Sequence, residues 1–312
     1  MIEKQRIGDL AVYPLALGGS VFGWTADLDT SFQLLDAYAA AGGNFIDTAD
    51  TYSAWVEGNH GGESETIIGE WLTARGNRDD IVIATKGGRH PDRKGLAADT
   101  IRAAVDDSLR RLHIDHIDLY FTHFDDPSVP VEEIMTTLDE LVTAGKLRQI
   151  GVSNIELDRL EASLEFSERE GTARYAAIQP QYNLVSRDTY EGPRRDLAER
   201  YGLAAMPYYG LASGFLTGKY RPGAKVDSAR AGSASQYLDS ERGRRVLAAL
   251  DIVAEEQDTA VATVALAWLA ARPTVAAPSA SARTLDQIRP LMDVAGTTLT
   301  AAQLQRLTDA SA

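Results

Sequence analysis

Eight short apolar runs punctuate the chain at nearly regular intervals, with stretches of helical spacing between them. The runs occupy residues 15–19, 43–47, 81–85, 117–122, 148–152, 176–179, 203–207 and 274–278. The first seven start 28, 38, 36, 31, 28 and 27 positions apart, and the eighth follows after 71. A strand with its crossover helix takes about thirty residues, so each of the first six intervals fits one βα unit and the last fits two. Several runs are apolar throughout rather than alternating, as in a parallel strand covered on both faces. Between them, Ile101, Val105, Leu109 and Leu112 follow Thr100, while Ile134, Leu138, Leu141 and Val142 end at Gly145. Leu157, Leu160 and Leu164 continue the same helical period after the fifth run.

This pattern predicts an α/β fold, a single (β/α)8 TIM barrel over residues 1–312 with an N-terminal β-hairpin and extra helices. The hairpin is expected at residues 4–13 with Gly8 and Asp9 at its turn, and a closing helix at residues 300–307. Residues 209–240, rich in Gly, Pro, Ser and Ala, read as a mobile loop, followed by one or two helices ending near Arg272. A doubly wound sheet competes, but it announces itself with G-x-G-x-x-G after the first strand. Leu17-Gly18-Gly19-Ser20-Val21-Phe22-Gly23 does not match.

Charge narrows the partners. With 31 basic and 45 acidic residues the net charge is −14. Without a dense basic patch such a chain repels nucleic acid and anionic membranes. The absence of cysteine removes disulfides, thiolate metal sites and cysteine nucleophiles. No run approaches the length of a membrane span, and the first residues lack the apolar core of a signal peptide. A cytoplasmic protein is the expectation.

In a barrel the chemistry gathers at the C-terminal strand ends. The second run ends in Asp47, with Tyr52 five positions on; the third is followed by Lys86 and the fourth by His123. Each residue alone has an ordinary structural explanation, but their joint placement on three successive strands points to proton transfer. A free phenol titrates near pH 10. An ammonium about 4 Å away supplies roughly 4 kcal/mol at an effective dielectric of 20, enough to bring Tyr52 two or three units down. Asp47 would keep Lys86 charged, and His123 would orient a carbonyl oxygen.

Asn44-Phe45-Ile46-Asp47-Thr48-Ala49-Asp50-Thr51-Tyr52, Ala84-Thr85-Lys86 and His123, in that order, resemble the aldo-keto reductase superfamily of NAD(P)H-dependent barrels. The resemblance covers nearly the whole chain, and Asp47, Tyr52, Lys86 and His123 match the family's catalytic tetrad. It implies that Ser153, Asn154 and Gln179 bind the nicotinamide carboxamide and that Tyr208 stacks on the ring. It further implies a pyrophosphate loop including Leu211, Ser213 and Lys219. In the segment after the last strand Arg283 and Gln287 are retained, whereas Ser281 replaces a glycine and Leu291 an asparagine; Tyr209-Gly210 stands for the more usual Ser-Pro. Arg283 favours NADP(H), with NAD(H) as the alternative.

The implied activity is reduction of a small-molecule aldehyde or ketone, Tyr52 being the general acid. Trp24 and Trp55 are candidates for the substrate pocket. A nucleotide-sensing regulatory subunit and a keto-sugar reductase are the alternatives. No metal site is expected: His113-Ile114-Asp115-His116 falls at a helix end on the opposite rim. The family includes monomers and larger assemblies, so a homo-oligomer is compatible with the resemblance.

Overall fold

A computed structural model describes residues 3–312. Strands β1 (Gln5–Ile7) and β2 (Leu10–Val12) form the expected antiparallel hairpin, followed by β3 (Ala16–Gly18), β4 (Phe45–Asp47) and β5 (Val82–Gly87). Strands β6 (Arg89–His90) and β7 (Arg93–Lys94) make a second, unanticipated hairpin. Then come β8 (Ile117–Thr122), β9 (Leu147–Ser153), β10 (Tyr175–Gln179), β11 (Ala204–Ala205) and β12 (Ser279–Ala280). The main sheet is parallel, in the order β11-β10-β9-β8-β5-β4-β3-β12. A further parallel bridge joins Ala205 to Val275, and the Ala276 N–H donates to the Ala205 carbonyl at 2.9 Å. The ring therefore closes, and the fold is a (β/α)8 barrel.

The eighth strand corrects the sequence reading. Residues 274–276 pair with β11, whereas the ladder with β3 begins only at Ser279. The chain passes from one neighbour to the other, so the apolar run 274–278 marks the crossing rather than a regular strand.

The helices are α1 (Leu28–Ala40), α2 (Glu63–Arg75), α3 (Ala98–Leu112), α4 (Val131–Thr143), α5 (Leu157–Glu170), α6 (Pro193–Tyr201), α7 (Ala231–Asp239), α8 (Glu241–Glu256), α9 (Val261–Ala270), α10 (Ile288–Met292) and α11 (Ala301–Ala310). Their ends follow local chemistry. The Asp27 carboxylate accepts the Thr30 N–H at the start of α1, and Thr300 with Gln303 forms a reciprocal capping box on α11. Helix α7 lies inside the stretch read as a loop. Its apolar stripe is too thin to register as a period, and Ala234 is its one fully buried residue.

Ile7, Leu10 and Val12 of the first hairpin pack with the small and aromatic side chains inside the barrel, among them Ala84, Leu119, Phe121 and Met206. This plug closes the N-terminal end of the barrel, where Arg148 joins Asp9 of the hairpin turn to the buried Asp118. His116 lies on this rim between Arg78 and Asp115. The opposite end is open. Among the described residues no helix is long and apolar enough to cross a membrane.

Candidate active site

Parallel strands present their C-terminal residues to one rim, so β4 delivers Asp47, β5 delivers Lys86, and the residue after β8 is His123. The chain leaves β4 through a pinned turn. The Thr48 N–H donates to the Ala84 carbonyl at 2.8 Å and the Asp50 N–H to the Lys86 carbonyl at 2.9 Å. Ser53, at a positive φ of 70°, is buried and donates its hydroxyl to the Phe22 carbonyl at 2.7 Å. That anchor folds Tyr52 back over the barrel mouth.

All three protons of the Lys86 ammonium are engaged. They reach Asp47 Oδ1 at 2.7 Å, the Thr48 carbonyl at 2.6 Å and the Tyr52 hydroxyl oxygen at 3.1 Å. Asp47 also accepts from Gln179 Nε2 at 3.1 Å and from Ser279 at 2.9 Å. The Tyr52 and His123 ring centroids are 6.2 Å apart. The four groups thus meet in one small volume.

Their electrostatics differ in one respect from the Coulomb argument. Burial raises the Tyr52 phenol above its ordinary value; Lys86 pulls it down and Asp47 pushes it up, and burial prevails. Burial also works against the Lys86 charge, but Asp47 and Tyr52 outweigh it and hold the ammonium above its ordinary value. Burial, then Lys86 and Arg89, depress His123 well below 6.5, so its imidazole is neutral at pH 7. Its Nδ1 is buried without a partner among the described residues.

A cavity of about 1220 Å³ opens above this cluster. Every expected site residue lines it except Lys86, which lies beneath the floor and is hydrogen-bonded to Asp47 and Tyr52. The residues assigned to the carboxamide form a network of their own. The Ser153 hydroxyl donates to the Gln179 carbonyl at 2.8 Å, Asn154 Nδ2 donates to Ser153 Oγ and to the His123 carbonyl, and the Tyr208 hydroxyl donates to Asn154 Oδ1 at 2.8 Å. Tyr208 is thereby fixed at the cavity wall. Gln287 Oε1 accepts the Arg283 N–H at 2.8 Å and holds that turn.

The cavity is also lined by Lys219, Arg230 and Arg283. None of them has a carboxylate partner among the described residues. Burial, followed by Arg283 and Arg230, presses Lys219 below its ordinary value. Three clustered cations that repel one another, two of them partly buried, are suited to an anion, and the phosphates of a dinucleotide have the matching charge. The neighbouring backbone is held in the left-handed region at Tyr209, Ala212 and Ser213, with φ of 55°, 47° and 57°. Such strain, of order 1 kcal/mol or more per residue, gathers at ligand clamps. Arg230 was not anticipated. Its guanidinium lies 5.2 Å from the Trp24 ring and donates to Ser20 Oγ at 3.2 Å, a contact across 210 positions with no periodic signature.

Residues 14–312 match the Aldo/keto reductase family. The chain belongs to that family. It is 31% identical to the norsolorinic acid reductase stcV of Emericella nidulans, over 97% of this chain and 79% of the relative. It is 30% identical to the aryl-alcohol dehydrogenase [NADP(+)] of Phanerodontia chrysosporium, over 96% and 83%, and 32% identical to the protein tas of Escherichia coli, over 92% and 91%. As an aldo/keto reductase the protein is an NAD(P)H-dependent oxidoreductase, and the three cations lining the open cavity are compatible with that cofactor class.

Proposed function

We propose that the protein reduces an aldehyde or ketone to the alcohol with NADPH and that Tyr52 donates the proton. One observation carries this reading. An ammonium can only donate hydrogen bonds, so the Tyr52 oxygen accepts from Lys86, and its own O–H is left without a partner among the described residues. That proton is free for a substrate oxygen in the cavity, beside the neutral imidazole of His123.

A nicotinamide, when bound, would supply the hydride, and the protein's own residues would do the rest. Lys219, Arg230 and Arg283 would hold the phosphates, Ser153, Asn154 and Gln179 the carboxamide, and Tyr208 the ring. With Tyr52 held above its ordinary value the phenol stays protonated through the neutral range. The attraction of Lys86 is felt fully only by the phenolate, so it favours the state in which the proton has left. Asp47 keeps the ammonium charged in a nearly dry site, and His123 orients the carbonyl oxygen. Arg283 supports NADP(H) over NAD(H), and so does the similarity to an aryl-alcohol dehydrogenase [NADP(+)].

Replacing Tyr52 by Phe removes the donor and keeps the ring. NADPH oxidation with an aldehyde should fall by about 10²–10⁴-fold, while NADPH still quenches the protein fluorescence with an affinity within about threefold of the original. Unchanged turnover in Tyr52→Phe would remove Tyr52 from the mechanism.

A further inference from the structure

The substrate end of the cavity adjoins the phosphate end at Trp24, whose ring lies 5.2 Å from the Arg230 guanidinium. One wall is aromatic: Trp24 and Trp55 meet edge to face at 5.5 Å, and Trp55 in turn meets Tyr52 at 6.3 Å. Tyr52 also meets His123 at 6.2 Å, and the rings of His123 and Phe124 have centroids 5.3 Å apart. Trp55 is 51% exposed and Phe124 40% exposed, although both line the cavity. Large apolar faces left open beside a reacting centre call for a flat apolar partner.

Arg89 stands at this end. Its guanidinium lies 4.3 Å from the Phe124 ring centroid, and it has no carboxylate partner among the described residues. The acids nearby are already occupied. Asp125 is bound by Arg159 at 2.7 Å, and Asp126 accepts from the Leu96 N–H and from Ser128. The backbone on both sides of Arg89 is clamped from beneath: Oδ2 of the buried Asp50 accepts the N–H of Gly88 at 3.1 Å and of His90 at 3.2 Å. The β6–β7 pairing holds the other side of the hairpin, whose Lys94 also lines the cavity. A cation stacked on an aromatic ring and mounted on a pinned backbone is preorganised for an anion. Phe124 links His123 to Arg89: its ring centroid lies 5.3 Å from that of His123 and 4.3 Å from the Arg89 guanidinium.

Resting on the carbonyl-reductase reading above, we propose that Arg89 forms a subsite for an anionic group carried by an aromatic aldehyde or ketone. The ring lies between the Trp24–Trp55 wall and Phe124, its carbonyl meets Tyr52 and His123, and its carboxylate meets Arg89. In a chain of net charge −14 a local positive rim is also what lets an acidic substrate approach.

The test compares 4-formylbenzoate with its uncharged methyl ester, which has similar carbonyl reactivity. For the native protein kcat/KM should favour the acid by about tenfold, a margin that shrinks with added salt. Arg89→Met should bring the ratio to within about twofold of one, and Arg89→Glu should invert it. Equal rates for acid and ester in the native protein, or a preference kept in Arg89→Met, would overturn the subsite. Binding of 4-formylbenzoate, followed by quenching of tryptophan fluorescence, separates this from failure of the reductase reading. If the acid binds through Arg89 but no NADPH is consumed, the subsite stands and the activity falls; if both compounds are reduced without preference, the activity stands and the subsite falls.

Discussion

Ser279 donates its hydroxyl to Asp47 Oδ2 at 2.9 Å, joining the last strand of the barrel to the carboxylate on β4 across 232 positions. It is the one donor to that oxygen among the described residues, while Oδ1 takes Lys86 and Gln179. Asp47 is 2% exposed, so a lost partner is not replaced cheaply by water. Ser279→Ala should lower unfolding stability by about 1.5–3 kcal/mol, the cost of a hydrogen bond to a buried charge. Urea denaturation at pH 7 measures this, and a loss below about 0.5 kcal/mol would mean that Ser279 is not needed to hold Asp47.

Asp50 gives a second prediction, one with a pH sign. Burial, together with the nearby Glu65, raises its carboxyl to about 7; the His90 and Gly88 N–H groups and Arg111 oppose this only in part. Glu65 already holds Arg111 at 2.7 Å and the Thr85 hydroxyl at 2.5 Å, so one guanidinium serves two acids. Tyr120, buried beside them, offers no charge to compensate. The folded protein therefore holds a proton that the unfolded chain, titrating near 3.8, has lost. The favourable contribution is full below that value and disappears as pH rises towards 7. Between pH 5 and pH 8 the native protein should lose about 2–3 kcal/mol relative to Asp50→Asn. Parallel urea titrations at the two pH values read the difference, and a constant gap would place the Asp50 pKa outside this window.

What the sequence revealed, and what it hid, divides along a physical line. Asp47, Lys86 and His123 were legible because a parallel barrel delivers strand-end residues to one rim whatever the loops do. Tyr52 was legible as the phenol in the loop beyond Asp47, although its orientation depends on the Ser53–Phe22 hydrogen bond. The direction of the Tyr52 shift was not, because the ammonium is countable from sequence whereas the depth of burial comes from packing. Arg230 escaped for a related reason: its partners Ser20 and Trp24 lie some two hundred positions away, within a fold whose long excursion carries almost no period. The eighth strand was misplaced because apolar composition does not say which neighbour a residue pairs with.

His123 supplies a third prediction. Burial, reinforced by Lys86 and Arg89, depresses its pKa well below 6.5. A histidine kept neutral in the fold takes up a proton only on unfolding, so its contribution to stability is present above 6.5 and declines as pH falls below it. With histidine ¹³C-labelled at Cε1, the resonance that disappears in His123→Gln should keep the shift of a neutral ring from pH 8 down to pH 5. An inflection near 6.5 in that resonance would show the imidazole to be solvated and charged in the acid range, and unsuited to orient a carbonyl as a neutral donor.

On the function proposed above, Arg283 would decide between the two nicotinamide cofactors. It lines the cavity without a carboxylate partner among the described residues, in a turn held by the bond from its own N–H to Gln287. A guanidinium there has a charge to meet in the 2′-phosphate of NADPH and none in the 2′-hydroxyl of NADH, whereas Lys219 and Arg230 face phosphates common to both in the proposed arrangement. Arg283→Ala should therefore raise the Kd for NADPH by about 10–100-fold and that for NADH by less than about threefold. The NADPH loss should shrink as salt is raised, since Arg283 is only half-buried. Fluorescence titration with both cofactors measures the two constants on one sample. Equal losses for the two would place Arg283 on the shared pyrophosphate, and no loss for either would place it outside the cofactor site.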